Sequence, residues 1–256
     1  FIEISGDTIE IDTFDVKILA GRRGQPGYLD STNVANVRPG DSAQFRGPEQ
    51  LVISGSYLYV ADRLNHAIRR VDIQTGETVT IAGFYSPSPT SSSAQTSGIA
   101  DGIGTAALFN APFGIEVLQE TSGPMLYISE EGNQSIRRLD LSTLEVTTVA
   151  GQKGQAAGFA DGPALSAQFN TPSGIAAKDG KIYIADRQNY VIREYDPVNQ
   201  EVRTVAGIPE QSGSSDGGPG VHSFNFPAGL ATLDGFLYIG DSGNHAIRRL
   251  DPVTGE

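Results

Sequence analysis

The chain of 256 residues contains no cysteine. That excludes a disulfide, a thiolate nucleophile and any cysteine-based zinc site, although it leaves the compartment open. Cations are also scarce. Eighteen Lys and Arg stand against thirty Asp and Glu, a formal net charge of −12. Sequence-independent binding to nucleic acid or to an anionic membrane rests on cationic side chains, so neither is expected. No apolar run approaches the ~20 residues of a membrane helix, and no signal peptide is visible. Phe1 is not a start residue, so the sequence reads as a mature, trimmed or partial chain. Catalytic signatures are missing as well: there is no Gly-x-Ser-x-Gly elbow, no phosphate loop and no His-Glu-x-x-His helix.

What the chain does have is 31 glycines, 14 prolines and a repeat. Residues 58–72 read LYVADRLNHAIRRVD, and the pattern returns at 126–140, 182–196 and 237–251. Each of the first three copies is followed by a turn and a strand ending in Ala-Gly, at Ala82-Gly83, Ala150-Gly151 and Ala206-Gly207. A long polar loop then ends in Phe-x-x-Pro, from Phe45, Phe109, Phe169 and Phe224. Apolar residues alternate with period two throughout, and no helical period is seen. Repetition of this kind marks a solenoid or propeller. Short antiparallel strands, four to a repeat, describe β-propeller blades at 47–83, 109–151, 169–207 and 224–256. The last repeat stops before its fourth strand. Residues 12–20, ending Val16-Lys17-Ile18-Leu19-Ala20-Gly21, match that strand, so the simplest closure pairs them with the strand at 245–251. A fragment of a longer array is the rival. Residues 1–11 alternate as a further hairpin, Ile2/Ile4 and Ile9/Ile11 about Ser5-Gly6-Asp7.

The pattern Tyr-Val/Ile-Ala-Asp-x-x-Asn-His-x-Ile-Arg-Arg, with Ala-Gly and Phe-x-x-Pro-x-Gly after it, resembles the NHL repeat. Its name-giving triplet appears as Asn65-His66-Ala67 and Asn244-His245-Ala246, and in altered form as Asn133-Gln134-Ser135 and Asn189-Tyr190-Val191. The resemblance implies an all-β propeller of four-stranded blades and does not by itself imply an activity. Some NHL proteins bind RNA through a basic face, but the net charge and interleaved acids argue against that here. The amidating lyases related by this resemblance use histidine-rich zinc sites, which three histidines at His66, His222 and His245 do not support.

The repeated polar residues have structural roles available to them. Asp62, Glu130, Asp186 and Asp241 can accept turn N–H groups or pair with arginine. Asn65, Asn133, Asn189 and Asn244 suit left-handed turn geometry. Arg69, Arg137, Arg193 and Arg248 read as inter-blade ion pairs, worth about 0–1 kcal/mol each when exposed. Ile68, Ile136, Ile192 and Ile247 should fill the gaps between blades.

Two kinds of candidate site remain. Asp101, Asp161 and Asp216 occupy equivalent loop positions, followed by Gly, and a ring of them could hold Ca²⁺; Asp-Gly turn chemistry is the plainer account. In the first loop the nearest match is Gly40-Asp41. The aromatic and imidazole side chains of the loops, Tyr28, Phe84, Tyr85, Phe159 and His222, are candidate contact residues, because variable loops on a repeated scaffold carry binding. Ser86-Pro87-Ser88-Pro89 opens a Ser/Thr/Pro tract typical of O-glycosylation, and Asn133-Gln134-Ser135 is a sequon. These point to an extracellular or cell-surface glycoprotein. The preferred reading is a non-enzymatic interaction or assembly module that binds other proteins or copies of itself, with residues 1–11 available for strand pairing and no cofactor beyond the conditional calcium. The alternative is a lyase- or lactonase-type propeller with an axial calcium; Glu116 is its one acid on an inner strand, which is weak support.

Overall fold

The computed structural model describes residues 4–5, 8–9, 17–31, 39–84 and 96–255. Alternating apolar residues and frequent turns give antiparallel strands almost throughout, and α1 (Pro39–Ser42) is one turn long. Near the N-terminus β1 (Ile4–Ser5) pairs with β2 (Thr8–Ile9). The first blade follows: β3 (Pro48–Ser54), β4 (Tyr57–Asp62), β5 (Ala67–Asp72) and β6 (Thr78–Ala82), hydrogen-bonded in that order. The second begins with a short β7 (Gly102–Ile103) and continues as β8 (Pro112–Glu120), β9 (Gly123–Glu130), β10 (Ser135–Asp140) and β11 (Glu145–Ala150). β7 adds outside β11 as a fifth strand, one more than the repeat suggests. The third blade does likewise, with β12 (Gly162–Pro163) outside β13 (Pro172–Lys178), β14 (Lys181–Asp186), β15 (Val191–Asp196) and β16 (Glu201–Ala206). The fourth consists of β17 (Pro227–Leu233), β18 (Phe236–Asp241) and β19 (Ala246–Leu250). Four antiparallel sheets thus form a four-bladed β-propeller.

Each sheet lays one face on the opposite face of the next. Tyr59, Ala61 and Ile68 of the first blade pack on Phe109, Ile115 and Ile128 of the second. Tyr127 and Ile136 meet Phe169, Ile175 and Ile184; Tyr183 and Ile192 meet Phe224, Leu237 and Ile239. Residues of one repeat position therefore always meet residues of another fixed position. The inner strands approach closely where each carries glycine: a Cβ on Gly114 would lie 2.4 Å from the Ser173 carbonyl, and one on Gly174 would lie 2.1 Å from that of Ala228. The first blade has Gln50 at this position, and its amide reaches across to the Ile175 carbonyl at 3.1 Å.

The seam between the last blade and the first is different. A Cβ on Gly229 would meet nothing within 4 Å. Ile247 is 78% exposed, whereas Ile68, Ile136 and Ile192 are wholly buried. Leu51 and Ile53 of β3 are 54% and 59% exposed, and Leu233 of β17 is 61% exposed. Of the closing strand expected at 12–20, residues 12–16 lie outside the described residues. Residues 17–20 belong to no strand, and β19 pairs only with β18 among the described residues. Leu19 and Ala20 border an apolar cleft on the first blade with Phe45, Leu51 and Val60.

The glycine contacts make a direct test of this asymmetry. Gly174→Ala forces a backbone carbonyl to move and should cost about 1–3 kcal/mol. Gly229→Ala, facing open space, should stay within about 0.5 kcal/mol of wild type. Urea unfolding of the two variants in dilute solution measures the difference; equal losses would mean the seam is closed.

Candidate functional site

The polar residues of the repeat converge on one arginine in each blade, fully buried in the first three. In the first, Asp62 Oδ1 accepts the Arg46 N–H at 2.7 Å, while Oδ2 accepts Asn65 Nδ2 and Arg69 Nη1, both at 2.8 Å. Arg69 also donates to the Gln44 and Leu29 carbonyls and, through Nη2, to Asp30 at 2.9 Å. Its guanidinium lies 5.0 Å from the Phe45 ring centroid, a cation–π distance. The second blade repeats this with Glu130, Arg137 and Asp101, both ion pairs at 2.9 Å. The third uses Asp186, Arg193 and Asp161, at 2.8 and 2.6 Å. The fourth uses Asp241, Arg248 and Asp216, at 3.1 and 2.7 Å. Phe109, Phe169 and Phe224 carry the other three guanidiniums at 5.1, 5.0 and 5.2 Å.

These ion pairs lie within a blade and its own loop, not between blades, and Arg69, Arg137 and Arg193 are fully buried rather than exposed. Asp101, Asp161 and Asp216 are therefore each claimed by a separate arginine instead of gathering about a calcium. The fourth member of their set is Asp30, not Asp41. The shared spacing is Gly-x-x-Asp, from Gly27, Gly98, Gly158 and Gly213. Each of those glycine carbonyls accepts the amide of the blade's Asn, at 2.7–2.9 Å. The outer aspartate also binds the blade's fourth strand, through Thr80, Thr148 and Thr204. Burial pushes the Asp62 and Glu130 carboxyls up and Asp186 to about 6, with the arginines pulling the other way. For Asp101, partial burial is outweighed by Lys153, Thr148 and Arg137, which hold it below the usual range.

The candidate contact residues are mostly occupied too. Tyr28 covers Arg69 at 5.3 Å and donates its hydroxyl to the Phe84 carbonyl at 2.7 Å. Phe159 covers Arg193 at 4.8 Å. His222 is buried beside Phe224, its Nδ1 2.9 Å from the Gly218 carbonyl. Phe84 is exposed; Tyr85 and residues 86–89 lie outside the described residues. Asn133 spends both amide hydrogens, on Gly98 and Glu130, which leaves the folded sequon no free amide. Glu116 sits half-buried on β8, its carboxyl raised by burial, and accepts its neighbour Val117 N–H at 2.8 Å. No three Asp, Glu or His side chains are grouped to share a metal ion among the described residues. What the sequence reading passed over is a cleft of about 460 Å³ beneath the first loop, lined by Arg22, Arg23, Pro26, Phe45 and Pro48.

Comparison with known proteins agrees with the geometry. The NHL repeat family model matches residues 224–250, and the LVIVD repeat model matches 48–68. Protein SUPPRESSOR OF QUENCHING 1, chloroplastic, of Arabidopsis thaliana is 29% identical over 92% of this chain and 27% of its own length. NHL repeat-containing protein 2 of Homo sapiens is 26% identical over 57% of this chain and 21% of its own. The chain is an NHL-repeat β-propeller. It spans about a quarter of these curated relatives. An auxiliary nutrient binding protein of Bacteroides thetaiotaomicron shares the fold, with a TM-score of 0.56 and 24% identity over 75% of this chain and 44% of that one.

The NHL triplet now has a physical meaning. Its Asn is not the left-handed residue; the next one is, with φ of 51° at His66, 54° at Gln134, 59° at Tyr190 and 55° at His245. That geometry aims its side chain at the following blade. His66 Nδ1 accepts the Ala111 N–H at 2.9 Å, Gln134 Oε1 accepts that of Thr171 at 2.6 Å, and Tyr190 meets the Phe226 ring edge-on at 5.1 Å. Burial, then Arg63 and Arg46, lowers the His66 pKa below 6.5.

A folded pKa below the unfolded one gives stability that is complete above 6.5 and lost as pH falls toward the folded value. The NHL propeller should therefore weaken on acidification below that point. His66→Gln, the side chain already used at Gln134, should keep the latch and remove that part of the pH dependence, as thermal melts across pH 5–8 would read. Arg137→Met leaves Glu130 buried without its charge partner and should cost about 3–5 kcal/mol in urea unfolding.

Proposed function

We propose that this NHL propeller is a non-enzymatic protein-binding module. The observation that carries the reading is that its repeated polar groups are engaged with one another. In each blade the inner acid, the first arginine and the asparagine of the motif bond within their own blade and loop, so these repeated residues hold the scaffold and recognition falls to what does not repeat. The first loop is the clearest such feature. Arg22 donates through Nε to the Asp41 carbonyl, and both Arg22 and Arg23 line the cleft with Phe45 and Pro48. In a chain of net charge −12 this cationic, apolar-floored cleft suits an acidic partner segment. Two of the loop contacts first considered, Tyr28 and Phe159, serve as lids over arginine. The fold shared with a nutrient binding protein is compatible with binding and assigns no ligand.

We also place the chain outside the cytosol, on the Ser/Thr/Pro tract opening at Ser86. Intact mass of native material tests this: glycan-sized additions are expected on that tract and none at Asn133, and an unmodified mass removes the basis for it.

The binding reading is tested with Arg22→Glu/Arg23→Glu. Cross-linking in native extract should recover a protein partner with the wild type and lose it with the double variant, whose melting temperature should be unchanged. An unaltered partner profile would exclude the cleft, and turnover of a substrate by the purified chain would overturn the non-enzymatic reading.

A further inference from the structure

The residue after each inner acid opens the turn between the second and third strands of its blade. In chain order it is Arg63, Glu131, Arg187 and Ser242. Between the first two blades this position makes a cross-blade ion pair. Arg63 donates through Nε and Nη2 to one oxygen of Glu131, at 3.0 and 2.7 Å. The Glu131 side chain is only 11% exposed, so the pair is partly shielded from water. The third and fourth blades repeat the arrangement with the arginine kept and the acid gone. Arg187 stands where Arg63 does, and Ser242 stands where Glu131 does. The short Ser242 hydroxyl turns back into its own blade and donates to the Phe226 carbonyl at 2.6 Å.

Among the described residues no hydrogen bond or ion pair reaches the Arg187 guanidinium, and its Nε is buried without an acceptor. Arg69 and Arg137 also leave Nε unpaired, but both of their Nη groups are spent on carbonyls and carboxylates. Arg187 spends none of its five N–H donors. The acid before it in the repeat series, Glu131, is held by Arg63 and makes no ion pair with Arg187. What Arg187 does have is a ring beneath it: its guanidinium lies 5.5 Å from the centroid of Phe226. That ring is fixed from another side by Tyr190, edge-on at 5.1 Å, and remains 36% exposed. A partly buried cation without acceptors loses hydration and gains little in exchange. Here it is held in place over an aromatic face, beside a position that carries an acid one interface earlier.

We propose that Arg187, Phe226 and Ser242 form a carboxylate-binding site, and that the ligand's carboxylate takes the place Glu131 takes against Arg63. The guanidinium fork matches the two oxygens of a carboxylate, and charge-assisted bonds of this kind are the strong ones. The exposed part of the Phe226 ring packs the aliphatic stem that carries the acid. A glutamate-like group, a carboxylate on a short methylene chain, fits both parts. It is also the group the chain itself uses one interface earlier. The ligand is thus an acidic side chain of a partner protein or a free organic acid of the same form. This goes beyond the binding-module reading, which rests on Arg22 and Arg23 of the first loop, and either site can fail without the other.

The test follows the Arg187 Nε–H resonance by proton–nitrogen NMR at low salt, with the signal assigned by its loss in Arg187→Gln. Glutarate and a short poly-glutamate peptide are the probes. The resonance should shift and saturate with at least one of them. Saturation by glutarate as readily as by the peptide marks a free organic acid as the ligand, and a response to the peptide alone marks a partner's acidic segment; both uphold the site. Ser242→Glu supplies the acid within the chain, as Glu131 does. It should move the resonance with no probe present and weaken probe binding about tenfold, since an internal acid competes at high effective concentration. Its melting temperature should be no lower than that of wild type, so the loss is not unfolding. Arg22→Glu/Arg23→Glu should leave the Arg187 response unchanged, which separates this site from the first-loop cleft. No shift with either probe, or binding unaltered in Ser242→Glu, would overturn the proposal. So would inorganic phosphate acting as strongly as glutarate, because the site would then take any anion.

Discussion

A guanidinium buried between two carboxylates is the interaction on which this NHL propeller depends. Removing an ion from water costs several kcal/mol, and only a nearly complete set of partners offsets it. Here the set is nearly complete. Arg193 has two acids, two backbone carbonyls and two aromatic faces around it. Arg69 and Arg137 lack an acceptor only at Nε. The partners come from three stretches of chain: the second strand gives the inner acid, the preceding loop gives the outer acid and the carbonyls, and the Phe-x-x-Pro segment gives the ring. Seating the arginine therefore fixes the path of the loop relative to the sheet. A polar loop of some twenty residues is expensive to order by backbone entropy alone, and the arginine supplies the contact that orders it.

That dependence explains which parts of the architecture were legible in the sequence. The strands, the four blades and the pairing of acids with arginines could be read, because each follows from a spacing that recurs four times. The burial of the ion pairs could not. Arg-Arg beside Asp on a strand looks the same whether it faces solvent or a loop folded over it, and the covering loop residues differ between copies. Tyr28 and Phe159 cover two guanidiniums, while Ile99 and Ser214 stand at the same repeat position in the other loops. Asp30 was passed over for a related reason. Asp-Gly is the visible dipeptide in the other loops, but the operative spacing is Gly-x-x-Asp. The glycine's carbonyl takes the asparagine's amide, and a Cβ there would press on the loop residue opposite: on Gln44 at 2.2 Å from Gly27, and on Ser223 at 2.2 Å from Gly213.

The three loop aspartates are held apart on the same logic. Equivalent positions in a repeat lie on one face, yet they need not lie near one another. Each blade carries its own arginine, so each loop aspartate is drawn outward to its own blade rather than inward to a common ion. Equivalence by symmetry makes a site only when the residues point at the axis. On the inner strands Gly114 and Gly174 leave room for the neighbouring backbone, where a Cβ would meet a carbonyl.

The seam then acquires a different standing from a mere irregularity. In a repeat protein each unit is stabilised by its neighbours, and a unit with an uncovered face lacks part of that energy. The last blade keeps its Asp241, Asn244 and Arg248 network, with Asp241 buried, and its turn at Asp251, so it is formed as a blade. Among the described residues its Ile247 face is uncovered, and so are Leu51 and Ile53 of the first blade. Asp216 shows the consequence at the level of a single residue. Its counterparts Asp30, Asp101 and Asp161 each bind a threonine of a fourth strand, whereas Asp216 holds Arg248 from a largely exposed position. A carboxylate in water gains little from an ion pair compared with one shielded by a strand. Covering the seam would therefore strengthen the last blade's internal network as well as bury its apolar face, and the two gains are coupled through the same arginine that orders every other loop.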